Sequence, residues 1–353
     1  MQPDQASKVR KGEELDVSLL QDYLQKDIQD FGKIIDIAQF PGGFSNLTYL
    51  LTTNNGKEHV LRRPPFGANI KSGHDMGREF RVLSLLKKAG FKQIPRPLSI
   101  EASGDVLGAP FYVMERLNGV ILRANDAPKL DFTPRKMSLL CNKLIENLTD
   151  LHALDIETTE LATLGKPEGY VKRQVEGWIK RYKNSQTDEV KNMDIVAEWM
   201  LSFEPRPQKP TFLHNDYKFD NVVWHTEMTD IIGVLDWEMS TVGDPLMDLG
   251  AALAYWCEAA DSDFSKMFNL TWLNGCLTRQ EVIDKYAALT GRDLSDIHFY
   301  YIFGLYKNAV IMQQIYTRWK QGLTKDPRFG ALIHGVFELS KMAKKTLDDF
   351  INN

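Results

Sequence analysis

Two different spacings of apolar positions divide the chain near residue 116. In the first part, apolar residues recur at helical spacing over residues 17–30 and 75–88, which predicts two helices. The turn signature of Asn54, Asn55 and Gly56 indicates a β-hairpin. Short apolar runs bounded by turn residues predict five strands, at residues 34–40, 47–52, 59–63, 98–101 and 110–114. This pattern predicts a small antiparallel sheet accompanied by two helices.

From residue 134 onward, helical spacing dominates the chain. Thr133 and Asp244 are each followed by a Pro at the first helical position, and Thr278 begins a capping-box signature. We predict helices at residues 134–152, 170–183, 188–202, 245–256, 295–320 and 329–352, and another after Thr278. The predicted fold class is therefore α+β, with a small amino-terminal lobe (residues 1–116) and a larger, mostly helical carboxy-terminal lobe (residues 117–353).

Composition and charge narrow the class of protein. The 353 residues suffice for two hydrophobic cores, and a net charge of -4 argues against a general nucleic-acid binder. Cys141, Cys257 and Cys276 lack metal-ligand spacing, so we expect buried thiols in a reducing compartment. The first twenty residues lack a signal-peptide core, and no apolar run approaches the ~20 residues of a membrane span. We expect a cytoplasmic protein without a membrane partner.

The chemistry is concentrated in a polar loop between two apolar runs. The loop reads His-Asn-Asp-Tyr-Lys-Phe-Asp-Asn over residues 214–221, and the next apolar run ends at Asp236. Phosphoryl transfer needs a carboxylate that accepts the proton of the attacking hydroxyl, and it needs Mg²⁺ held by oxygen ligands. Asp216 is the candidate base, and Asn221 and Asp236 are the candidate metal ligands. The spacing follows the kinase pattern H-R-D-x-x-x-x-N followed by an Asp on the next strand.

The segments HNDYKFDN, GVLDWE and GDPLMDL resemble the aminoglycoside phosphotransferase and choline kinase group of small-molecule kinases. The segments VLRRPP, GREFRVL and GYVKRQVEGWIKRY are most similar to kinase domains associated with acyl-CoA dehydrogenases. The resemblance covers nearly the whole chain. It implies a two-lobed protein-kinase-like fold, ATP or GTP as phosphate donor, Mg²⁺, and a small-molecule hydroxyl as acceptor.

The resemblance also implies the residues that bind the nucleotide. A basic residue on the third strand is expected to hold its phosphates and to pair with Glu79 on the following helix. Arg62 takes this place, although the family usually has Lys there, and Arg63 is an alternative. The other expected contacts are the turn residues Gly42, Gly43, Phe44 and Ser45, which could instead form a plain hairpin turn, and the hinge residues Glu115 and Leu117.

Further catalytic roles follow from the same resemblance. His214 is expected to pack and brace the loop, and Asp248 to act as a structural carboxylate beneath it. We expect Lys218 to stabilise negative charge on the transferred phosphoryl group, with a solvent-exposed surface lysine as the alternative.

Recognition of the acceptor is expected from helices later in the chain. Lys307, Gln314 and Arg318 fall on one helical face, and the helix at residues 170–183 adds four more cations, Lys172, Arg173, Lys180 and Arg181. A basic wall favours an anionic acceptor, such as a hydroxyacyl-CoA or a hydroxy acid, while a merely solvated face is the alternative. Two other functions stay open: an aminoglycoside, choline or amino-alcohol kinase, and a nucleotide-binding regulatory pseudokinase.

Overall fold

The structure, a computed structural model, describes residues 3–41, 46–66, 75–324 and 326–352, with the backbone alone at Pro128. The chain divides into two compact units. The first comprises Met1–Ile121 and Val222–Met239, and the second comprises Leu122–Asn221 and Ser240–Asn353. Within the described ranges, no helix combines the length and the apolar content that crossing a membrane requires.

Strands and helices alternate in the first part of the chain, and helices dominate the later part. In chain order they are α1 (Val17–Asp27), β1 (Ile34–Gln39), β2 (Leu47–Thr53), β3 (Glu58–Arg63), α2 (Met76–Lys88), β4 (Pro97–Glu101), β5 (Phe111–Glu115), β6 (Val120–Ile121), α3 (Pro134–His152), α4 (Tyr170–Ser185), α5 (Lys191–Ser202), β7 (Thr211–Leu213), β8 (Val222–Trp224), β9 (Ile231–Val234), β10 (Thr241–Gly243), α6 (Pro245–Tyr255), α7 (Asp263–Lys266), α8 (Arg279–Thr290), α9 (Ile297–Lys320) and α10 (Leu332–Asn352).

The first unit is built on a five-stranded antiparallel sheet in the order β1-β2-β3-β5-β4. Alternate residues of β2 point into its core, among them Tyr49 and Leu51, and meet Leu20 and Leu24 of α1. The small antiparallel sheet and the mostly helical remainder confirm the α+β fold class that the apolar spacing predicts.

The first unit also contains a second, three-stranded sheet in the order β6-β8-β9. The amide of Val234 at the end of β9 donates to the carbonyl of Gln93, 2.8 Å away, which ties this sheet to the segment after α2. Residues 222–239 therefore belong to the first unit. This division differs from a single boundary after residue 116, because strand pairing joins segments about a hundred residues apart.

Helices α6 and α9 cross closely in the second unit. A Cβ atom added at Gly250 would lie 2.3 Å from the carbonyl oxygen of Tyr300, and one at Gly304 would lie 2.4 Å from the carbonyl oxygen of Gly250. Only hydrogen atoms fit at this crossing, so the two backbones touch. The crossing fixes Asp248 on α6 and Lys307 on α9, both buried, within one turn of these glycines.

Most predicted helices agree closely with the structure. The helix predicted at residues 134–152 is α3, and those predicted at 170–183 and 245–256 are α4 and α6. The last helix, predicted from residue 329, begins at Leu332 because a 3-10 turn over Pro327–Ala331 precedes it. Cys141 and Cys257 are buried free thiols, as the sequence predicts, and Cys276 is partly exposed.

Candidate functional site

The polar loop of the second unit begins where β7 ends and continues into a 3-10 turn over Phe219–Asn221. Asn215, the residue before the candidate base, is buried and has a φ of 66°. This left-handed conformation is uncommon for residues other than glycine, and Asn tolerates it better than most. Surrounding contacts must therefore hold the backbone in this shape.

Three side chains from distant elements hold Asn215. Its amide donates to Asp248 Oδ1 at 2.8 Å, and its carbonyl oxygen accepts from Lys307 Nζ at 2.5 Å. Its side-chain amide donates to the hydroxyl of Tyr170 at 3.1 Å. The backbone N–H and C=O groups of Asn215 thus both have fixed partners. The direction in which the chain continues to Asp216 is therefore fixed as well.

Asp248 is fully buried beneath the loop. Its Oδ2 accepts from the amide of His214 at 2.6 Å and lies 3.2 Å from His152 Nε2, whose other ring nitrogen contacts the hydroxyl of Tyr286 at 2.7 Å. Burial opposes its charge, but the hydrogen bond from His152 and the positive surroundings outweigh it and lower the pKa of Asp248. The carboxylate thus supports the loop through two backbone amides, in the position that the family resemblance implies.

Asp216 is held by its neighbours in the same loop. The side-chain amide of Asn221 donates to Asp216 Oδ2 and to its carbonyl oxygen, each at 2.8 Å, and Lys218 Nζ lies 3.1 Å from Oδ2. Burial opposes its charge, but Lys218 and Lys307 outweigh it, so the pKa of Asp216 is lowered. The carboxylate is therefore ionised at neutral pH, as a proton acceptor must be.

Lys218 lies beside this carboxylate with only 19% of its side chain exposed, unlike a surface lysine. Its ammonium lies 4.4 Å from the ring centroid of Tyr255 on α6, close enough for a cation–π contact. Burial opposes its charge, but Tyr255 and Asp216 outweigh it and raise the pKa of Lys218. A permanent positive charge is thereby fixed next to the candidate base.

The two candidate metal ligands each present an oxygen atom suited to Mg²⁺. Both donor hydrogens of the Asn221 amide point at Asp216, so its carbonyl oxygen Oδ1 is the atom left for a cation. Asp236 in the first unit has a φ of 67°, and among the described residues its Oδ1 accepts no hydrogen bond, although the Arg62 guanidinium lies at ion-pair distance, 3.5 Å away. Hard oxygen donors of this kind fit Mg²⁺.

In the first unit, Arg62 rather than Arg63 pairs with Glu79. Arg62 Nη1 lies 2.5 Å from Glu79 Oε1, and its Nη2 lies 3.5 Å from Asp236 Oδ1. Burial opposes the charge on Arg62, but Glu79 outweighs it and raises the pKa of the guanidinium. Arg63 instead stacks 3.9 Å from the ring of Phe66. Arg62 is therefore the arginine that makes the expected pair with Glu79, and its contact with the nucleotide stays a prediction.

The other predicted nucleotide contacts lie in and after β5, or outside the described residues. Glu115 lies 3.3 Å from Arg96. Leu117 packs on Gly233, where an added Cβ atom would lie 2.0 Å from Leu117 Cδ1. The turn residues Gly42, Gly43, Phe44 and Ser45 lie outside the described residues, so the predicted phosphate-covering turn stays a prediction.

The predicted acceptor residues on α9 occupy different environments. Lys307 is buried beneath the polar loop instead of lining an open wall, because the close crossing of α6 and α9 places its ammonium against Asn215. Gln314 is partly exposed and Arg318 is exposed. Trp178 on α4, which the sequence analysis did not single out, has the guanidinium of Arg181 4.5 Å and the ammonium of Lys307 5.8 Å from its ring centroid.

Solved structures share this fold. A protein of Ralstonia eutropha, named a candidate aminoglycoside phosphotransferase, superposes with a TM-score of 0.81 at 26% identity and covers 95% of this chain and 99% of its own. A choline kinase of Cryptosporidium parvum superposes with a TM-score of 0.61 at 14% identity and covers 96% and 100%. An aminoglycoside phosphotransferase solved with streptomycin and ATP has a TM-score of 0.58 at 18% identity and covers 94% and 98%. The protein-kinase-like fold is thereby confirmed.

Curated relatives carry this kind of chain as one part of a longer protein. Human acyl-CoA dehydrogenase family member 11 is 31% identical over 314 residues, which are 87% of this chain and 40% of the relative. Mouse acyl-CoA dehydrogenase family member 10 is 31% identical over 294 residues, 80% of this chain and 26% of the relative. The chain thus spans less than half of their length. Residues 36–287 match the model of the phosphotransferase enzyme family, and the chain belongs to this family of small-molecule kinases.

Proposed function

We propose that this chain transfers the γ-phosphoryl group of a nucleoside triphosphate to the hydroxyl group of a small anionic molecule. A hydroxyacyl-CoA or a hydroxy acid is the acceptor that its charges fit best. The observation that carries this proposal is the state of Asp216, a carboxylate that Lys218 and Lys307 keep ionised and that Asn221 orients. A buried, ionised and oriented carboxylate can accept a proton from an attacking hydroxyl.

In the proposed reaction, the acceptor oxygen forms a bond to the γ-phosphorus and its proton passes to an Oδ atom of Asp216. The bond between that phosphorus and the β,γ-bridging oxygen breaks, and its electron pair leaves with the nucleoside diphosphate. Lys218 offsets the negative charge that gathers on the transferred phosphoryl group. Bound Mg²⁺ would neutralise charge on the phosphate oxygens, and Asn221 and Asp236, each in its own unit, are the proposed residues that supply oxygen ligands.

Arg62 is proposed to hold the phosphates of the donor nucleotide. Its pairing with Glu79 supports this role, because a guanidinium anchored on one side keeps the remaining N–H groups in a fixed direction. The same pairing favours catalysis over a regulatory pseudokinase, which could dispense with an ordered Arg–Glu pair and an ionised Asp216. ATP or GTP would serve as donor, since related kinases were solved with ATP and with GDP.

The anionic character of the acceptor is supported by charge near the loop. Lys218 and Lys307 act on the charge of Asp216, and Arg181 acts on the charge of Lys307. The ring of Trp178 could bind a cationic acceptor, as aromatic rings do for quaternary ammonium groups, but Arg181 and Lys307 already lie against it. A cationic aminoglycoside or choline would meet repulsion there. The names of the curated relatives add support for an acyl-CoA-linked acceptor.

A panel of acceptors with the Asp216→Asn variant tests the proposal. We expect Mg²⁺-dependent release of nucleoside diphosphate with hydroxy acids or hydroxyacyl-CoA thioesters, and a fall in kcat of roughly 10²–10⁴-fold in the variant, because the base is lost while the shape is kept. Asp284→Asn, on the surface of α8, serves as the control and should keep wild-type turnover. Faster turnover of aminoglycosides or choline, or an active Asp216→Asn enzyme, would contradict the proposal.

A further inference from the structure

Arg181 on α4 is a cation that the reaction described above leaves unused. Its guanidinium lies 4.5 Å from the ring centroid of Trp178, which is only 6% exposed and therefore fixed in place. Within the described part of the chain, no carboxylate lies within ion-pair distance of Arg181. The guanidinium lies over the ring while the residue stays exposed, so its N–H groups are open to a ligand.

The other cations of α4 are engaged or point to solvent. Lys172 lies 4.0 Å from Glu176, and Lys183 lies 2.6 Å from Asp194. Arg173 donates to the carbonyl oxygens of Lys166 and Glu168. Lys180 is exposed. Of the basic residues on this helix, Arg181 is the one held on a rigid aromatic platform.

A short chain of contacts links this platform to the candidate base. The ammonium of Lys307 lies 5.8 Å from the same ring, on a residue that also donates to the carbonyl oxygen of Asn215, next to Asp216. Burial lowers the pKa of Lys307, and repulsion from Lys218 and Arg181 adds to this effect. Lys307 thus lies close enough to Lys218 and to Arg181 to be repelled by each of them. A ligand anion bound at Arg181 would reduce that repulsion.

We infer that Arg181, stacked on Trp178, binds an anionic group of the acceptor and thereby positions the acceptor hydroxyl at Asp216. The ligand chemistry is a carboxylate or a phosphate, both of which match the planar N–H fork of a guanidinium. This inference rests on the proposed function and adds to it a residue that determines specificity. The carboxylate of a free hydroxy acid and the phosphates of a CoA thioester are two sources of this chemistry.

The test compares KM values for charged and neutral acceptors in the Arg181→Gln variant. The acceptors are a free hydroxy acid, its methyl ester, its CoA thioester and its pantetheine thioester, which lacks the phosphates of CoA. We expect KM for the recognised anionic acceptor to rise roughly 10–100-fold, the worth of a hydrogen bond to a charged group, with kcat changed far less. KM for its neutral counterpart should stay at the wild-type value.

The pattern across acceptors identifies the source of the anion. A rise confined to the free acid indicates its carboxylate, and a rise confined to the CoA thioester indicates its phosphates. Lys183→Gln removes one charge from the same helix, where Lys183 already has a surface partner, and serves as the matched control. The inference is overturned if Arg181→Gln behaves like Lys183→Gln for every acceptor, or if it impairs neutral and anionic acceptors equally.

Calorimetric binding separates this inference from the proposed function. The free acid and the CoA thioester are titrated into wild-type protein and into Arg181→Gln in the presence of ADP and Mg²⁺. If no hydroxylated acceptor is phosphorylated while anion binding still depends on Arg181, the proposed reaction fails and the anion site stands. If hydroxy acids are phosphorylated and neither anion binds in an Arg181-dependent way, the site alone fails.

Discussion

Each unit buries a group of charges, and the two groups have different partners. In the first unit, Arg62 contacts the side chains of Glu79 and Asp236, so side chains hold side chains. In the second unit, Asp248 accepts from the backbone amides of His214 and Asn215, so a side chain holds the path of the chain. The first arrangement holds a charge that is proposed to meet the nucleotide, and the second fixes a loop. Substitutions in the two groups of charges should therefore have different effects on stability and activity.

The largest effect is expected from Arg62→Met. Glu79 has 3% of its side chain exposed, and without Arg62 its charge is buried unpaired. Breaking such a pair from one side costs about 3–5 kcal/mol of unfolding free energy, measured by urea denaturation. Arg10→Met, which breaks an exposed pair with Glu13, should cost at most about 1 kcal/mol.

The double variant Arg62→Met with Glu79→Gln sharpens this contrast, because it removes the unpaired charge. We expect most of the lost stability to return, while KM for the nucleotide stays well above that of the wild type. Recovery of nucleotide affinity together with stability would mean that Arg62 has a structural role only.

We expect Asp248→Asn to lose less stability than Arg62→Met does and to affect turnover more. One carboxylate oxygen becomes an NH₂ group that faces a backbone N–H, which leaves a buried donor unpaired at a cost of about 1–3 kcal/mol. The hydrogen bonds that Asp248 accepts from the amides of His214 and Asn215 hold Asn215 in its left-handed conformation. We therefore expect kcat to fall more than KM rises. Urea unfolding and steady-state kinetics on the same preparation check both values, with the surface variant Asp349→Asn as control. An unchanged kcat would contradict the bracing role.

The smallest effect concerns a histidine. His59 is buried against Phe31 in the first unit, and within the described residues its ring nitrogens have no hydrogen-bond partner, whereas His152 in the second unit has two. Burial lowers the pKa of His59, with Lys57 and Arg96 adding to the shift. The unfolded chain then binds more protons, so stability falls as pH drops below about 6.5. Urea midpoints at pH 7.5 and 5.5 should show this loss in the wild type and less of it in His59→Phe.

The local chemistry of the site could be predicted from sequence spacing. The order of His214, Asp216, Lys218 and Asn221 within eight residues fixes which groups share one loop, since so short a segment leaves little choice. Lys218 and Asn221 do contact Asp216. Helices with a clear apolar stripe, such as α3, were also predictable because the stripe reports burial directly.

The burial of individual side chains and the pairing of segments distant in sequence could not be predicted from spacing. The face that Lys307 shares with Arg318 follows from helical spacing, but the glycine crossing that buries Lys307 depends on Gly250 and Gly304, more than fifty residues apart. The strand pairing that brings residues 222–239 into the first unit joins β6 and β8, which lie about a hundred residues apart. A specific role for Arg181 could be inferred only from its position over the ring of Trp178, which the sequence does not show.

Gly233 in β9 illustrates how a missing side chain can control a neighbouring site. A methyl group there would lie 2.0 Å from Leu117 Cδ1, in the segment expected to meet the nucleotide base. Because the obstacle is a side chain, the requirement for glycine is one of volume. A larger side chain at position 233 together with a smaller one at position 117 would exchange volume between the two and reshape the segment expected to meet the nucleotide base. A paired size exchange of this kind could give a kinase that accepts a modified nucleotide which the natural chain rejects.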